Sequence, residues 1–149
     1  MAEPKKPFVV VVNNDLADVI GRTLDAGGID AIPFVSGPEA LADDRLKDAS
    51  LVISDWHNPP LWGHGLWKAL TEQHPHIPVM YLSARDVANE PQFKEAAMTP
   101  IDIMELPYSA RELVKRVKAC LGQGETIIHE VWALERQPRI WSASWTGTG

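Results

Sequence analysis

Polar side chains that could carry chemistry follow three apolar runs of the sequence. Asn13 and Asn14 come directly after FVVVV, Asp55 follows LVIS, and Ser83 follows PVMYL. Asp55 is the one obvious anionic ligand of this set, because asparagine oxygens can coordinate a cation but carry no full charge. Carboxylate, amide and hydroxyl groups can all take part in hydrogen bonds, so these positions are candidates for a functional site.

Five apolar runs alternate with helix-forming stretches, which indicates an α/β protein. Runs that are apolar throughout are typical of strands buried on both faces of a parallel sheet. The strands are predicted at residues 8–12, 29–35, 51–54, 78–82 and 101–104, each followed by a helix. This alternation predicts a doubly wound, five-stranded parallel sheet. Pro33 places the second strand at an edge, where a missing N–H is tolerated.

The carboxyl ends of the strands are where such a sheet forms its sites, at the point where strand order reverses. That rule brings Asn13, Asn14, Asp55 and Ser83 together with the turn at 105–106. The helix after Asn14 is predicted to bury one apolar face. That face comprises Leu16, Val19, Ile20 and Leu24.

The order of these motifs resembles the receiver domain of response regulators. VVNND is followed by LVISD, by a proline and a glycine four and eight residues after Asp55, by YLSA, and by the turn Leu106-Pro107-Tyr108. The resemblance covers residues 7–121 and leaves 122–149 as a C-terminal extension. It implies the flavodoxin-like (βα)5 fold with strand order 2-1-3-4-5, and a role in two-component phosphorelay signalling.

The resemblance also implies roles for individual positions. Asp55 stands at the phosphoacceptor position, and Ser83 stands where a hydroxyl bonds the phosphoryl oxygen. Asn13 and Asn14 occupy the positions of two acidic residues that help to hold Mg²⁺. Two further positions depart from the family: Leu106 replaces a lysine, and Ile103 replaces the aromatic residue that reports the switch.

These departures predict a degenerate phosphorylation site. Phosphoryl transfer needs a metal and cations to hold the developing negative charge. We therefore expect no enzyme activity, Mg²⁺ binding at Asp55 that is weak or absent, and signalling through protein contacts without phosphorylation. The alternative is a working phosphoacceptor at Asp55. Purely structural roles also remain open, with Asn13 and Asn14 capping the first helix, Asp55 capping its loop and Ser83 serving as a turn residue.

The composition of the chain limits the classes of partner that we expect it to bind. The 149 residues carry a formal net charge of -6 and no basic block, so binding to DNA or to an anionic membrane through a positive face is not expected. One cysteine excludes an internal disulfide, and we expect neither a membrane-spanning segment nor a signal peptide, because the sequence has no long apolar run and residues 1–8 are short and polar. The expected setting is the cytoplasm, and the expected partner is a histidine kinase or a downstream effector protein.

The segment 122–149 holds half of the six tryptophans. Because such side chains are rarely left exposed, Trp132, Trp141 and Trp145 predict either packing back onto the domain or an interface with another protein or a second copy of the chain, and the interface is the favoured interpretation. Arg136 and Arg139 leave a further alternative, a receiver-like protein that binds a cyclic dinucleotide through this segment.

Four histidines lie in two pairs along the chain, His57 with His64 and His74 with His76. Two of them could bind a transition metal, since imidazole is a common ligand. No histidine pair has the spacing of a helical metal motif, which favours ordinary loop histidines.

Overall fold

The computed structural model describes residues 7–57, 61, 63–83, 89–95 and 98–122. The chain divides into two compact units, Met1–Val114 and Lys115–Gly149, and the sheet lies in the first. Of the second unit the structure describes residues 115–122. The predicted domain boundaries at 7–121 and 122–149 stay a prediction.

Five strands form one parallel sheet in the order β2-β1-β3-β4-β5. The strands are β1 (Phe8–Val12), β2 (Asp30–Phe34), β3 (Leu51–Asp55), β4 (Val79–Ser83) and β5 (Asp102–Glu105). The helices are α1 (Ala17–Ala26), α2 (Gly37–Ala42), α3 (Gly63–Gln73), α4 (Pro91–Glu95) and α5 (Ala110–Cys120), with a 3-10 turn at Asp44–Asp48. This architecture confirms the predicted fold and strand order, and it confirms β2, which contains Pro33, as an edge strand.

The three inner strands form the centre of the core. Residues 9–12 of β1, 51–53 of β3 and 79–82 of β4 are at most 3% exposed. Complete burial on both faces explains why these strands are apolar throughout and do not alternate with polar residues.

The first helix uses a different face from the predicted one. Ile20 and Leu24 are buried as expected, but Leu16 and Val19 are about half exposed, at 49% and 48%. Ala17 and Gly21 complete the buried stripe. Small residues on that stripe allow the helix to lie close to the sheet: a Cβ added at Gly21 would come within 3.9 Å of the Pro33 side chain.

A buried aromatic cluster fixes the chain that follows Asp55. Trp56 is 2% exposed, and its ring meets Tyr81 edge-on with centroids 5.7 Å apart. The Tyr81 hydroxyl donates to the Gly63 carbonyl at 2.7 Å, and the Gly63 N–H donates to the Trp56 carbonyl at 2.9 Å. Burial raises the pKa of Tyr81, which keeps its hydroxyl protonated as a donor. The start of α3 is therefore held against the end of β3.

We expect Gly63→Ala to destabilise the domain by about 1–3 kcal/mol through overpacking. A Cβ at this position would overlap Cε3 of the Trp56 ring, which is itself buried. The measurement is urea unfolding followed by circular dichroism.

Gly21→Ala is the matched control, because its added Cβ meets no atom closer than 3.9 Å. Inside a helix this change should be neutral or stabilising by up to about 1 kcal/mol. Equal losses for the two variants would show that the contact between Trp56 and Gly63 is not tight.

Candidate functional site

The carboxyl edge of the sheet brings the predicted residues together. In the parallel register Ser54 lies beside Val12, Asp55 beside Leu82, and Ser83 beside Glu105. Since strand ends in a parallel sheet meet at one edge, Asn13, Asp55 and Ser83 share the edge that was predicted from the sequence.

Asn13 uses its side-chain oxygen to hold the turn between β1 and α1. The residue is 7% exposed, and its Oδ1 accepts hydrogen bonds from the N–H groups of Asp15 at 3.0 Å and Leu16 at 2.8 Å. Leu16 stands at the N-cap of α1 and makes no side-chain cap, so Asn13 serves that end of the helix instead. The oxygen that would face a cation is engaged with the backbone. Asn14 is exposed on the same turn.

Asp55 is half-buried as the last residue of β3, and burial is the main reason why its pKa is raised. Its Oδ1 accepts a long hydrogen bond from the His57 N–H at 3.4 Å. The backbone N–H groups of His57 and Trp56, and the charge that His57 carries when protonated, oppose the shift. Among the described residues no lysine or arginine contributes a charge that offsets the carboxylate.

Asp15 belongs to this site, although the interpretation of the sequence passed over it. Its negative charge adds to the rise in the pKa of Asp55, so the two carboxylates lie close enough to repel each other. The sequence feature that could have identified Asp15 as a site residue was its type, because it is the only acid of the run Asn13-Asn14-Asp15. The site therefore holds two carboxylates where the sequence alone suggested one.

Tyr108 is a second residue whose place the sequence did not reveal. It is half-buried, and its pKa is raised by burial and, in smaller part, by the negative charge of Asp55. The sequence offered Tyr108 only as the aromatic residue of the turn after β5. The turn directs this side chain into electrostatic range of the carboxylate.

Ser83, Leu106 and Ile103 complete the positions taken from the resemblance. Ser83 is fully buried, and its carbonyl accepts the Leu106 N–H at 2.8 Å, which joins the β5 turn to the end of β4. The peptide bond between Leu106 and Pro107 is cis. Leu106 is 46% exposed and brings no charge to the edge, and Ile103 packs against the core.

Within the described part of the chain no three histidine, cysteine, aspartate or glutamate side chains are arranged to hold one ion.

None of the described helices has the length and apolarity needed to cross a bilayer. Trp132, Trp141, Trp145, Arg136 and Arg139 lie outside the described residues, so the interface and dinucleotide predictions for that segment stay predictions.

Comparison with known proteins gives consistent matches. No family model matches the chain. The sensory transduction protein RegX3 of Mycolicibacterium smegmatis is 31% identical over 117 residues, which are 78% of this chain and 50% of that protein. The alkaline phosphatase synthesis transcriptional regulatory protein PhoP of Bacillus subtilis is 30% identical over 121 residues, which are 81% of this chain and 50% of that protein. The chain thus spans about half the length of the curated relatives it matches.

One solved structure is matched over almost its whole length. The receiver domain of the Francisella response regulator 1452 superposes with a TM-score of 0.65 at 28% sequence identity. The match covers 79% of this chain and 98% of that domain. This chain therefore contains the equivalent of that complete domain.

We expect Asp55→Asn to stabilise the protein at pH 7. Folding raises the pKa of Asp55, so the folded state holds this proton more tightly than the unfolded chain does. The resulting contribution to the free energy of unfolding is fully present below about pH 3.9, the pKa of an unfolded aspartate, and is lost as the pH rises through the raised pKa. The gain should stay under about 1 kcal/mol, because solvent screens a half-exposed carboxylate. Urea unfolding at pH 7 and pH 4.5, with an NMR titration of the Asp55 Cγ, measures both effects.

Asp43→Asn provides a control of opposite sign. Arg45 hydrogen-bonds the Asp43 carboxylate and lowers its pKa to about 2, so removing that charge should destabilise the protein at pH 7. An Asp55 pKa at or below that of an unfolded chain would contradict the description of the site.

Proposed function

Because this chain belongs to the receiver domains of response regulators, we propose that it serves two-component signalling as an atypical receiver that works through protein contacts and independently of phosphorylation. The observation that carries the proposal is the position of Asn13. An oxygen that accepts two backbone N–H groups is a poor candidate for displacing water from Mg²⁺.

The lack of a positively charged side chain at position 106 supports the same proposal. A phosphoryl group on Asp55 would add negative charge beside Asp15, with the uncharged Leu106 at the position that a lysine fills in the family. Transferred phosphoryl groups are stabilised by metal ions and cations, and neither is favoured by these side chains. We therefore infer that Mg²⁺ binds weakly or not at all, and we assign no catalytic residue.

The proposed partners are proteins. A histidine kinase or a downstream effector fits a receiver domain, and a second copy of the chain is the alternative. The names of RegX3 and PhoP describe those proteins at their full length, whereas this chain matches half of each. Neither a contact with DNA nor one with a membrane is part of the proposal.

One observation favours a second function, a working phosphoacceptor at Asp55. Asp15 supplies a carboxylate near Asp55, so the pair could still attract a divalent cation. The two functions differ in a single measurable property, the transfer of a phosphoryl group to Asp55.

Incubating the protein with Mg²⁺ and a small phosphodonor should leave its intact mass unchanged. The variant Asn13→Asp/Asn14→Asp/Leu106→Lys restores the three charged positions and should gain one phosphoryl group, because an aspartate at position 13 can accept the backbone N–H groups with one oxygen and offer the second oxygen to Mg²⁺, whereas the second group of asparagine is an amide nitrogen. Adding Asp55→Asn to that variant is the matched control and should abolish the gain. A stoichiometric gain by the unmodified protein, lost in Asp55→Asn, would establish the phosphoacceptor function instead.

Titration with Mg²⁺ should change tryptophan fluorescence little below concentrations on the order of tens of millimolar, since the site lacks the full carboxylate set. Trp56 is adjacent to Asp55 and buried, so ion binding there should alter its emission. The restored variant should respond at concentrations lower by about one or two powers of ten. A response of the unmodified protein in the low millimolar range would refute the weak-binding proposal.

A further inference from the structure

The turn between α3 and β4 holds a histidine pair at the opposite edge of the sheet from Asp55. His74 and His76 flank Pro75, and backbone bonds fix the turn: the His74 N–H donates to Leu70 at 2.7 Å and the Ile77 N–H donates to His74 at 3.1 Å. Both imidazoles line a cleft of about 500 Å³. The proposed function involves the carboxyl edge of the sheet and not the edge where this pair lies.

A hydrogen bond orients the His76 ring. Its Nε2 lies 3.2 Å from the carbonyl oxygen of Lys47. Because a carbonyl only accepts, Nε2 must carry the proton in this bond, and Nδ1 of the neutral ring keeps its lone pair. Histidines that ligate metals are held in the same manner, with the second ring nitrogen donating to a carbonyl or carboxylate. Nδ1 of His76 is thus prepared to act as a ligand.

The second imidazole lies close enough to share an ion. The ring centroids of His74 and His76 are 6.1 Å apart, with the planes at 84°. Two imidazole nitrogens bound to one ion at about 2.1 Å and a tetrahedral angle place their ring centres roughly 5 Å apart. A shared ion therefore requires side-chain rotations that turn one nitrogen of each ring towards it and bring the ring centres about 1 Å closer. Both residues are at least partly exposed.

We propose that His74 and His76 form a binding site for a divalent transition-metal ion such as Zn²⁺, Cu²⁺ or Ni²⁺. Imidazole nitrogen suits these ions, whereas Mg²⁺ and Ca²⁺ take oxygen ligands. Within the described residues no third histidine, cysteine or acidic side chain joins the pair. Water fills the remaining positions, and the hydroxyls of Thr71 and Thr99 line the same cleft.

Calorimetric titration of the tag-free 149-residue chain with ZnCl₂ tests the site. We expect one ion per chain, with a Kd in the micromolar range and well below about 1 mM. His74→Gln and His76→Gln should each weaken binding at least about tenfold, by analogy with the loss of other metal-site contacts. His129→Gln is the matched control and should leave the affinity unchanged, because it removes a histidine from a different part of the sequence.

Pulsed EPR of the Cu²⁺-loaded protein provides a second readout that does not depend on affinity. The unmodified protein should show two coupled imidazole nitrogens, and each single variant should show one. Three outcomes would overturn the proposal: no binding of Zn²⁺ up to about 1 mM, unchanged binding in both variants, or loss of binding in His129→Gln. Circular dichroism of each variant checks that the fold is retained.

Discussion

The parallel pairing of β3 between β1 and β4 determines where this domain can do chemistry. The inner strands are buried on both faces, so their side chains stabilise the core, and the charged side chain of β3 lies at the end of the strand. The register then sets Asp55 at the tip of the central strand, beside Leu82 and near the turn that follows β1. A shift of one residue in β3 would exchange its two faces and move this carboxylate from the edge.

Packing, more than charge, holds Asp55 in place. The next residue, Trp56, is enclosed by Tyr81 and Gly63, and its ring also approaches Phe93 of α4 with centroids 6.3 Å apart. The carboxylate itself accepts a long hydrogen bond from the His57 N–H, and the Trp56 N–H adds a smaller favourable contribution. A rigid apolar support thus carries an acid whose charge is poorly compensated among the described residues.

The architecture was predictable because a parallel strand that is buried on both faces appears in the sequence as an uninterrupted apolar run. Pro33 located an edge strand for the same kind of reason, a missing backbone donor. The face of α1 was predicted wrongly because the interpretation favoured large side chains: Leu16 and Val19 stay partly exposed, while Ala17 and Gly21 let the helix approach the sheet.

The site was only partly predictable. Side-chain type placed Asn13, Asp55 and Ser83 at one edge, but it could not decide whether Asn13 faces a cation or caps a turn. The answer depends on two backbone N–H groups that only the folded turn presents. Asp15 and Tyr108 were missed because their relation to Asp55 depends on loop conformation, and Trp56 could not be assigned to the core because Tyr81 lies 25 positions further along the chain.

The two outer strands limit how this domain can associate. β2 contains Pro33, which has no amide hydrogen, and β5 has only four residues. Proline and shortness are both means by which natural sheets avoid pairing with a strand from another molecule. Extension of this sheet into a continuous intermolecular one is therefore disfavoured at both borders, and the domain is protected against that route to fibrous aggregation.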